Sequence, residues 1–208
     1  MVSNGERSAT DPLPVPRLTD GVVTLRGYRP EDAEPMTRGL QDWDTVKWLT
    51  SLPWPYPHEE SVAWIEAVVP AKWEAGSAHW FCVADAADDV YIGDVGLRTN
   101  DPDTRTWEIG YILVPWARGR GAMTRAVGLL LGWVFEHLPC DRVDWGAAVG
   151  NHASLKVAEA NGFRLEGTRR QAMLRQNDQT RHDEWIAGLL REDWGALRAE
   201  SEPLASDE

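Results

Sequence analysis

The sequence predicts a mixed α/β (α+β) domain built on one central sheet, on the strength of three observations. Several segments alternate apolar and polar residues with the period of a strand, as Val22–Tyr28 does. Others carry apolar residues at three- and four-residue spacing, typical of an amphipathic helix, as at Val62, Ile65, Val69 and Trp73. Short, turn-like connections join consecutive strand segments, which favours antiparallel neighbours. A chain of 208 residues can bury the core of such a domain.

In the first half of the chain, the strand Val22–Tyr28 precedes two helical regions. The first is PEDAEPMTRGL, with Pro30 near its start, and a helical fragment and a proline-broken loop follow it in DTVKWLTSLPWPYPHEE. The second is HEESVAWIEAVVPAKWEAG, which Pro70 should kink or split, because proline lacks the amide hydrogen and crowds the preceding turn. Three strands follow, in AHWFCVADA, YIGDVGLRT and TRTWEIGYILV.

The second half begins with a predicted helix over Ala122–His137 and a strand in DRVDWGAAV. NHASLKVAEANG is a second amphipathic helix, which Asn161-Gly162 should end. RLEGTRRQAML and RHDEWIAGLLREDW predict a closing hairpin around Gln176–Gln179, and a short helix over Arg191–Arg198 follows. We therefore expect residues 17–198 to form a single domain, between a flexible N-terminal tail (residues 1–16) and an acidic C-terminal tail (residues 199–208).

Composition restricts the class of protein and its partners. Hydrophobic residues make up 43% of the chain, which excludes a disordered protein. The net charge of -12 opposes binding to nucleic acid and weakly suits a cationic partner such as an amine. No apolar stretch of about 18 residues predicts a membrane span. The start, MVSNGERSATDPLPVP, lacks the apolar core of a secretory signal, so we expect a cytoplasmic protein, either a monomer or a homodimer.

The cysteines indicate neither a disulfide framework nor a metal site. Cys82 and Cys140 are the two cysteines of the chain, too few for a disulfide scaffold. Cys82 lies in an apolar strand segment and is predicted to be a buried thiol. No Cys/His spacing resembles a zinc site, so no metal is expected.

The segment VPWARGRGAMTRAVGLLLGWVF gathers cations at the start of a helix in an acidic chain. A helix N-terminus leaves its first amides unpaired and carries partial positive charge, which makes it an anion site. Gly119 and Gly121 allow the backbone to come close to a ligand, and Arg118, Arg120 and Arg125 add positive charge, so pyrophosphate is the natural guest. The spacing matches neither a P-loop nor a Rossmann fingerprint. A tight turn with solubilising arginines is the alternative.

Arg118 to Met123 resembles the acetyl-CoA motif of the GNAT N-acetyltransferase superfamily, Gln/Arg-x-x-Gly-x-Gly/Ala, between a strand and a helix. Arg118 and Gly121 match the motif, and Met123 replaces its last small residue. WEIGYILVP resembles the fourth strand of that family, and NHASLKVAEANGF resembles its N-x-x-S…E-x-x-G-F segment. LRGYRPEDAEPM, PWPYPHEESVAWIE and HDEWIAGLLREDW resemble the Rim-type branch, which acetylates the N-termini of ribosomal proteins. The resemblance covers residues 18–194 in the expected order.

The resemblance implies a GNAT fold, with a central, mostly antiparallel sheet flanked by helices, in which the family's fourth and fifth strands form a parallel pair that splays apart. Acetyl-CoA, the acyl donor, would lie in that wedge with its pantetheine arm on main-chain groups of Ile112, Leu113 and Val114. Met123 would set the backbone slightly further from the phosphates, although its amide would still serve. The residues expected at the diphosphate are Arg118, Gly119, Arg120, Gly121, Ala122, Met123 and Thr124.

Acetylation of an amine requires a deprotonated acceptor, a polarised carbonyl and a stabilised leaving thiolate. Glu108 and Asp144 are the carboxylates on the two facing strands. Glu108 fits a general base, acting directly or through water, or an anchor for a cationic acceptor, and the shorter Asp144 would need a water to reach the amine. Either one also fits a solvated strand charge or a structural ion pair. Asp144 stands where the Rim-type branch usually has glutamate. The resemblance implies that Ser154 is the proton donor to the coenzyme A sulfur and that Asn151 contacts the pantetheine arm, although both also fit helix capping. Tyr111 is the reserve acid.

The acceptor pocket is expected between the proline-rich loop and the last hairpin. Trp54, Tyr56 and His58 are its candidates in the loop, and Arg175 and Asp183 are those in the hairpin. A proline-rich loop with aromatic residues suits a selective wall, and it equally suits plain packing.

Three functions fit the resemblance. The first is an acetyl-CoA-dependent N-acetyltransferase that modifies the α-amine of a peptide or protein N-terminus. The second keeps this chemistry but takes a small amine, such as an antibiotic, an amino acid or a polyamine. The third is a non-catalytic CoA-binding regulatory module, for which Met123 and Asp144 are the arguments.

Overall fold

The computed structural model describes residues 14–99, 101–175 and 178–201. Most of the two predicted tails and two residues of the predicted hairpin turn lie outside these ranges. The strands are β1 Leu18–Thr19, β2 Val23–Arg26, β3 Ala78–Asp85, β4 Tyr91–Arg98, β5 Thr106–Leu113, β6 Arg142–Ala148, β7 Arg164–Arg175 and β8 Thr180–Leu190. The helices are α1 Ala33–Leu40, α2 Trp43–Val46, α3 His58–Ala63, α4 Val69–Glu74, α5 Ala122–His137, α6 His152–Ala160 and α7 Arg191–Ser201, with a π-helical segment at Trp64–Val68.

The strands form one eight-stranded sheet in the order β1-β2-β3-β4-β5-β6-β8-β7. Neighbouring strands are antiparallel except for β5 and β6, which run parallel. The mixed fold with one parallel pair is therefore confirmed. The family's fourth and fifth strands are β5 and β6 here, because the two-residue β1, which was not predicted, comes first.

Helix α5 has the predicted bounds and fixes the turn in front of it. Its core-facing residues recur every three or four positions, and Ala126, Val127, Leu130, Leu131 and Val134 are fully buried. This face packs against β2, β4 and β5. The N-terminus of α5 follows β5 through a short 3₁₀ turn at Pro115–Ala117. The arginine–glycine segment is consequently held at the end of β5.

The helix that Pro70 was predicted to kink or split is interrupted by a π-helical segment just before the proline. The chain stays helical from α3 through the π-helical segment into α4, where Pro70 occupies the first turn. The carbonyl that the proline ring would crowd belongs to Glu66, four residues earlier. Glu66 lies inside the wider π-helical turn, which relieves that contact.

A tryptophan lies across the middle of the sheet on the face opposite α5. A Cβ on Gly96 of β4 would come within 2.6 Å of the Trp80 indole, and a Cβ on Gly110 of β5 within 3.0 Å. The indole therefore occupies the space that side chains on these two strands would fill. Trp64 packs edge-on against Trp80, with ring centroids 5.4 Å apart.

The C-terminal part agrees with the prediction except at its last helix. β7 and β8 form the hairpin, and α7 runs to Ser201, three residues beyond the predicted end. Gly162 has a φ of +86° after α6, as a C-terminal stop requires. Cys82 and Cys140 are free and buried, so the prediction of a buried thiol at Cys82 is confirmed.

Candidate active site

The parallel pair opens into a gap after only three residue pairs. Thr106–Glu108 of β5 pairs with Arg142–Asp144 of β6, and the two strands then diverge. From Ile109 onward, β5 keeps β4 as its hydrogen-bonded neighbour on the other side. Unpaired main-chain groups of β5 therefore face the gap, where they can bind an extended ligand.

The parity of the ladder decides which main-chain groups face the gap, and it corrects the predicted set. The amide of Val114 donates to Ile92 O at 3.0 Å, and its carbonyl accepts from Ala117. Because hydrogen-bonded positions alternate along an antiparallel strand, Ile112 also points its main-chain groups at β4. Leu113 and Tyr111 are the residues whose main-chain groups turn toward the gap. Of the three predicted residues, Val114 and Ile112 are therefore engaged elsewhere.

Both glycines of the arginine–glycine turn have left-handed backbone conformations. Gly119 has a φ of +81° and Gly121 a φ of +74°, and Gly121 is the N-cap of α5. The Arg125 amide donates a hydrogen bond to Gly121 O at 3.2 Å, the first intrahelical bond of α5. The amides of Ala122, Met123 and Thr124 precede that bond and belong to the first turn, which has no intrahelical acceptor. The Met123 side chain packs in the core with 4% exposure, so it does not cover its own amide.

Each arginine around the turn pairs with an aspartate from another element. Arg120 lies 3.3 Å from Asp85 at the end of β3, and Arg125 lies 2.8 Å from Asp20. Arg118 binds α2, through the Thr45 hydroxyl and Asp42. The three arginine side chains are 40 to 52% exposed. Such exposed pairs contribute only about 0–1 kcal/mol each, so an incoming anion can replace those of Arg120 and Arg125 at little cost.

A cavity of about 760 Å³ joins the turn to the gap. Its walls come from α2 and the turn after it, β5, the arginine–glycine turn, the first turn of α5, β6, α6 and β7. The predicted residues in its lining are Glu108, Tyr111, Ile112, Leu113, Arg118, Gly119, Gly121, Ala122, Met123, Thr124, Asn151 and Ser154. Arg120, Val114 and Asp144 do not line it.

Three side chains meet by hydrogen bonds where the gap opens. The Tyr111 hydroxyl donates to Ser154 O at 2.8 Å and accepts from Trp145 Nε1 at 2.8 Å. The Ser154 hydroxyl lies 3.1 Å from the Tyr111 hydroxyl and 3.2 Å from Trp145 Nε1. The Asn151 side chain accepts from the Ser154 amide at 3.2 Å, so Asn151 caps α6 and places Ser154 in its first turn. The cluster of Tyr111, Trp145 and Ser154 is called the hydroxyl cluster below.

Burial fixes the protonation state of this cluster. Desolvation raises the pKa of Tyr111 to about 12, although hydrogen bonds from Ser154 and Trp145 oppose the rise. Tyr111 is therefore a neutral phenol near pH 7, so it can donate a hydrogen bond or a proton but has no anionic form to act as a base. Because the raised pKa makes Tyr111 a weaker acid and its hydrogen is donated to Ser154 O, the acid role considered for Tyr111 stays a prediction.

The two predicted carboxylates have different environments. Glu108 lines the cavity and binds Arg98 through both oxygens, at 2.7 and 3.3 Å. Asp144 is held by Arg142 at 2.6 Å, and Arg142 also binds Glu166. Because Arg142 holds Asp144 away from the cavity lining, the predicted role of Asp144 at the acceptor amine is not supported by its position.

The five residues predicted for the acceptor pocket do not line this cavity. Trp54 packs edge-on against Trp43, and the Tyr56 carbonyl accepts from Gln41. His58 Nδ1 lies 3.0 Å from the Thr37 hydroxyl. The loop thus packs back onto the helices before it.

The two hairpin residues hold structure together rather than line the cavity. Arg175 donates to Lys47 O at 2.6 Å and binds Asp178, and Asp183 accepts from the Gln171 amide at 2.9 Å. Arg175 thereby ties β7 to the end of α2.

The cavity is also lined by residues that were not predicted from the sequence. Asp44, Thr45, Trp48, Leu49 and Thr50 supply one wall, and Met173, Trp145 and Arg98 supply others. Among these residues, only Trp145 could have been found from the sequence. It is an aromatic residue one position after Asp144, on the strand that corresponds to the family's fifth.

A family model described as an acetyltransferase (GNAT) domain matches residues 23–164. The chain belongs to the GNAT acetyltransferase family. It is 30% identical over 176 residues to the Bacillus subtilis (strain 168) protein named "Putative ribosomal N-acetyltransferase YdaF", covering 83% of this chain and 93% of that one. This likeness agrees with the Rim-type resemblance of the sequence.

Solved structures share the fold of this GNAT acetyltransferase. One is RimL, the ribosomal L7/L12 α-N-protein acetyltransferase in complex with coenzyme A, with a TM-score of 0.69, 21% identity, and coverage of 81% of this chain and 94% of that one. Another is the microcin C7 self-immunity acetyltransferase MccE in complex with acetyl-CoA and AMP, with a TM-score of 0.71, 22% identity, and coverage of 83% and 93%.

Two absences characterise residues 14–99, 101–175 and 178–201. In those residues, no helix combines the length and the apolar character needed to cross a bilayer. The same residues contain no group of three or more His, Cys, Asp or Glu side chains arranged to hold a metal ion.

Proposed function

We propose that this GNAT acetyltransferase transfers the acetyl group of acetyl-CoA to the α-amine of a peptide or protein N-terminus. The observation that carries the proposal is one continuous cavity. It connects an anion-type turn, an open strand edge and a buried hydroxyl cluster, in the order that a phosphorylated thioester carrier and its reacting end require.

The residues present fit acetyl-CoA. The positive φ angles of Gly119 and Gly121 turn the chain so that the first amides of α5 are exposed to the cavity. Apart from the glycine itself and its chain neighbours, no atom of the described residues lies within 4 Å of a Cβ built on either glycine, so the space beside the turn is open to phosphates. Leu113 and Tyr111 present main-chain groups to the gap, where the amides of a pantetheine arm find partners of strand type.

The chemistry forms a bond between the acceptor nitrogen and the acetyl carbonyl carbon and breaks the bond from that carbon to sulfur. Acetyl-CoA supplies the thioester. The amine gives up a proton, and the departing sulfur needs one. We assign the second task to the hydroxyl cluster, because Tyr111 stays protonated and Ser154 lies beside it in the cavity wall.

The acceptor amine is assigned to the Glu108 side of the cavity. Glu108 is half-exposed and already binds one cation, Arg98. An ammonium group that reaches Glu108 exchanges one cation for another, and exposed pairs of this kind are worth about 0–1 kcal/mol. Glu108 then orients the amine and takes up its proton, directly or through water.

A substrate panel tests the proposal. The purified protein and acetyl-CoA are incubated with peptides that carry a free α-amine, the same peptides with a blocked α-amine and a free lysine, amino-acid amides, and aminoglycosides. Release of free thiol is followed, and mass spectrometry locates the acetyl group. We expect turnover only with free α-amine peptides, and a much larger loss of turnover than of acetyl-CoA affinity in Ser154→Ala.

Other outcomes would replace the proposal. Turnover confined to small amines would assign the second function considered from the sequence. Tight binding of acetyl-CoA without turnover on any amine would assign the non-catalytic one. Thiol release that is unchanged in Ser154→Ala would move the acid role to Tyr111 or to solvent.

A further inference from the structure

Arg118 differs from the other arginines of the turn in where its side chain goes. Its Nε donates to Leu113 O at 3.3 Å, at the end of β5. Its Nη2 donates to the Thr45 hydroxyl and lies 3.5 Å from Asp42 Oδ2. One guanidinium therefore bridges the gap-facing end of β5 and helix α2, while its own backbone belongs to the turn.

The contacts of Arg118 with α2 close into a hydrogen-bonded triad. The Thr45 hydroxyl accepts from Arg118 and donates its own hydrogen to Asp42 Oδ2 at 2.8 Å. Asp42 is the N-cap residue of α2, so it also stands at the start of that helix. Thr45 is 7% exposed, which shields the middle of the triad from water. The planar fork of arginine suits such a bridge in a way that a lysine ammonium does not.

Helix α2 has only four residues and needs outside support to hold its position. The arginine–glycine turn supplies one support through Arg118, and β7 supplies another through the bond from Arg175 to Lys47 O. The segment that begins at α2, residues 44–50, contributes much of the cavity wall on the acceptor side. A shift of Arg118 would therefore move this wall.

The other two arginines provide a contrast within the same turn. Arg120 and Arg125 pair with Asp85 and Asp20, and neither aspartate lines the cavity. Movement of these pairs has no direct route to the acceptor wall. The route is specific to Arg118.

We propose that Arg118 is a positioning residue that couples occupancy of the arginine–glycine turn to the position of the acceptor wall at residues 43–50. The inference rests on the proposed function, in which the turn holds the diphosphate of acetyl-CoA. Binding there fixes the turn, and the Arg118–Thr45–Asp42 triad transmits that order to α2. Since coupling between two sites is reciprocal, a bound acceptor strengthens binding at the turn by the same factor.

Hydrogen–deuterium exchange with coenzyme A as the probe tests the coupling without an acceptor. The backbone bonds of Val46, Lys47 and Leu49 report on α2. In the wild type, saturating coenzyme A should slow exchange in residues 43–50. Thr45→Val removes the centre of the triad without touching the turn, and it should abolish the slowing. Arg118→Lys, which keeps the charge but loses the fork, should do the same.

Arg120→Lys is the matched control, since it changes a neighbouring arginine of the turn in the same way. It is expected to keep the slowing of residues 43–50 once coenzyme A saturates it. Kinetics supply a second readout. In Thr45→Val the KM for the acceptor peptide should rise by about fivefold or more, the lower end of typical coupling between sites, while the Kd for coenzyme A stays within about twofold of the wild type, a change of under 1 kcal/mol.

The outcomes separate this inference from the function on which it rests. Coenzyme A that binds the wild type without slowing exchange at residues 43–50 would overturn the coupling alone. So would a slowing that survives in both Thr45→Val and Arg118→Lys, or that is lost equally in Arg120→Lys. A wild type that binds no coenzyme A would overturn the proposed function and the coupling with it.

Discussion

Replacing Gly121 with valine separates a backbone requirement from a requirement for space at the arginine–glycine turn. Gly121 has a φ of +74° and a ψ of +7° and caps α5. No protein atom outside its neighbours lies within 4 Å of a Cβ built there. A side chain therefore meets no obstacle, and the whole penalty comes from the left-handed conformation.

The size of the penalty follows from that separation. A residue with a Cβ pays about 1–2 kcal/mol in the left-handed region, and a β-branched residue lies at the upper end. Relaxation of the substituted turn in the free protein relieves this strain, and a ligand that requires the left-handed turn must then restore it at the same cost. A cost of 1–2 kcal/mol corresponds to about a 5- to 30-fold loss of affinity.

Calorimetric titration with coenzyme A measures the effect, and Gly121→Asn is the control. Asparagine has a Cβ but adopts left-handed conformations more readily than valine. We expect Gly121→Asn to bind within a few-fold of the wild type and Gly121→Val to bind about tenfold more weakly. If valine and asparagine bind coenzyme A within twofold of each other, the left-handed turn does not form the phosphate site and that assignment is wrong.

Three further predictions concern other parts of the molecule. Tyr111→Phe should lower kcat by about tenfold or more, while titration should show nearly unchanged acetyl-CoA affinity. The loss should stay below the roughly 10²–10⁴-fold effect of removing a full general acid, because the neighbouring serine hydroxyl remains. Steady-state kinetics should show a higher acceptor KM in Glu108→Gln and a lower one in Arg98→Gln, each by a few-fold, since the pair is exposed; a shift of both in one direction contradicts the anchor role. Burial raises the pKa of Asp94 from 3.8 to about 6, against hydrogen bonds from two tyrosines, and lowers that of His79 from 6.5 to about 4. The raised pKa of Asp94 makes stability fall as pH rises from 3.8 to 6, and the lowered pKa of His79 makes stability rise from pH 4 to 6.5. Asp94→Asn removes the first effect, so in urea unfolding its stability relative to the wild type should increase with pH by on the order of 3 kcal/mol. A difference that does not change with pH would refute the raised pKa.

The elements that the sequence predicted well are those whose local signals and packing agree. Helix α5 has the predicted bounds because its apolar period, its glycine start and its burial all indicate the same residues. The open parallel pair followed from resemblance alone, since no pattern in β5 or β6 shows where two strands diverge. Of the three residues predicted for the pantetheine arm, only Leu113 turns its main-chain groups toward the gap, because the parity of the ladder depends on the hydrogen bond between Val114 and Ile92.

The side of the cavity that we propose for the acceptor could not be predicted from the sequence for a similar reason. Prolines and aromatic residues around Trp54 and Tyr56 indicate a rigid loop, but they do not show which surface the loop covers. In the structure that loop packs on the preceding helices. The position of Asp144 could be inferred from the sequence. Arg142 lies two residues before it, and residues two apart share one face of a strand. The ion pair that holds Asp144 was therefore available from the sequence.

The arginines at the turn also explain how a chain of net charge -12 can maintain the proposed anion site. Their aspartate partners come from α2, the end of β3 and the turn before β2, so the pairs fasten the turn to three separate elements. The pairs are exposed and weak, and they leave the amides at the start of α5 unscreened. A diphosphate can take over the guanidinium groups of Arg120 and Arg125 while the backbone geometry stays fixed by Gly119 and Gly121. Acidic residues next to the site therefore organise it, and the attraction for the ligand comes from the helix terminus that they do not contact.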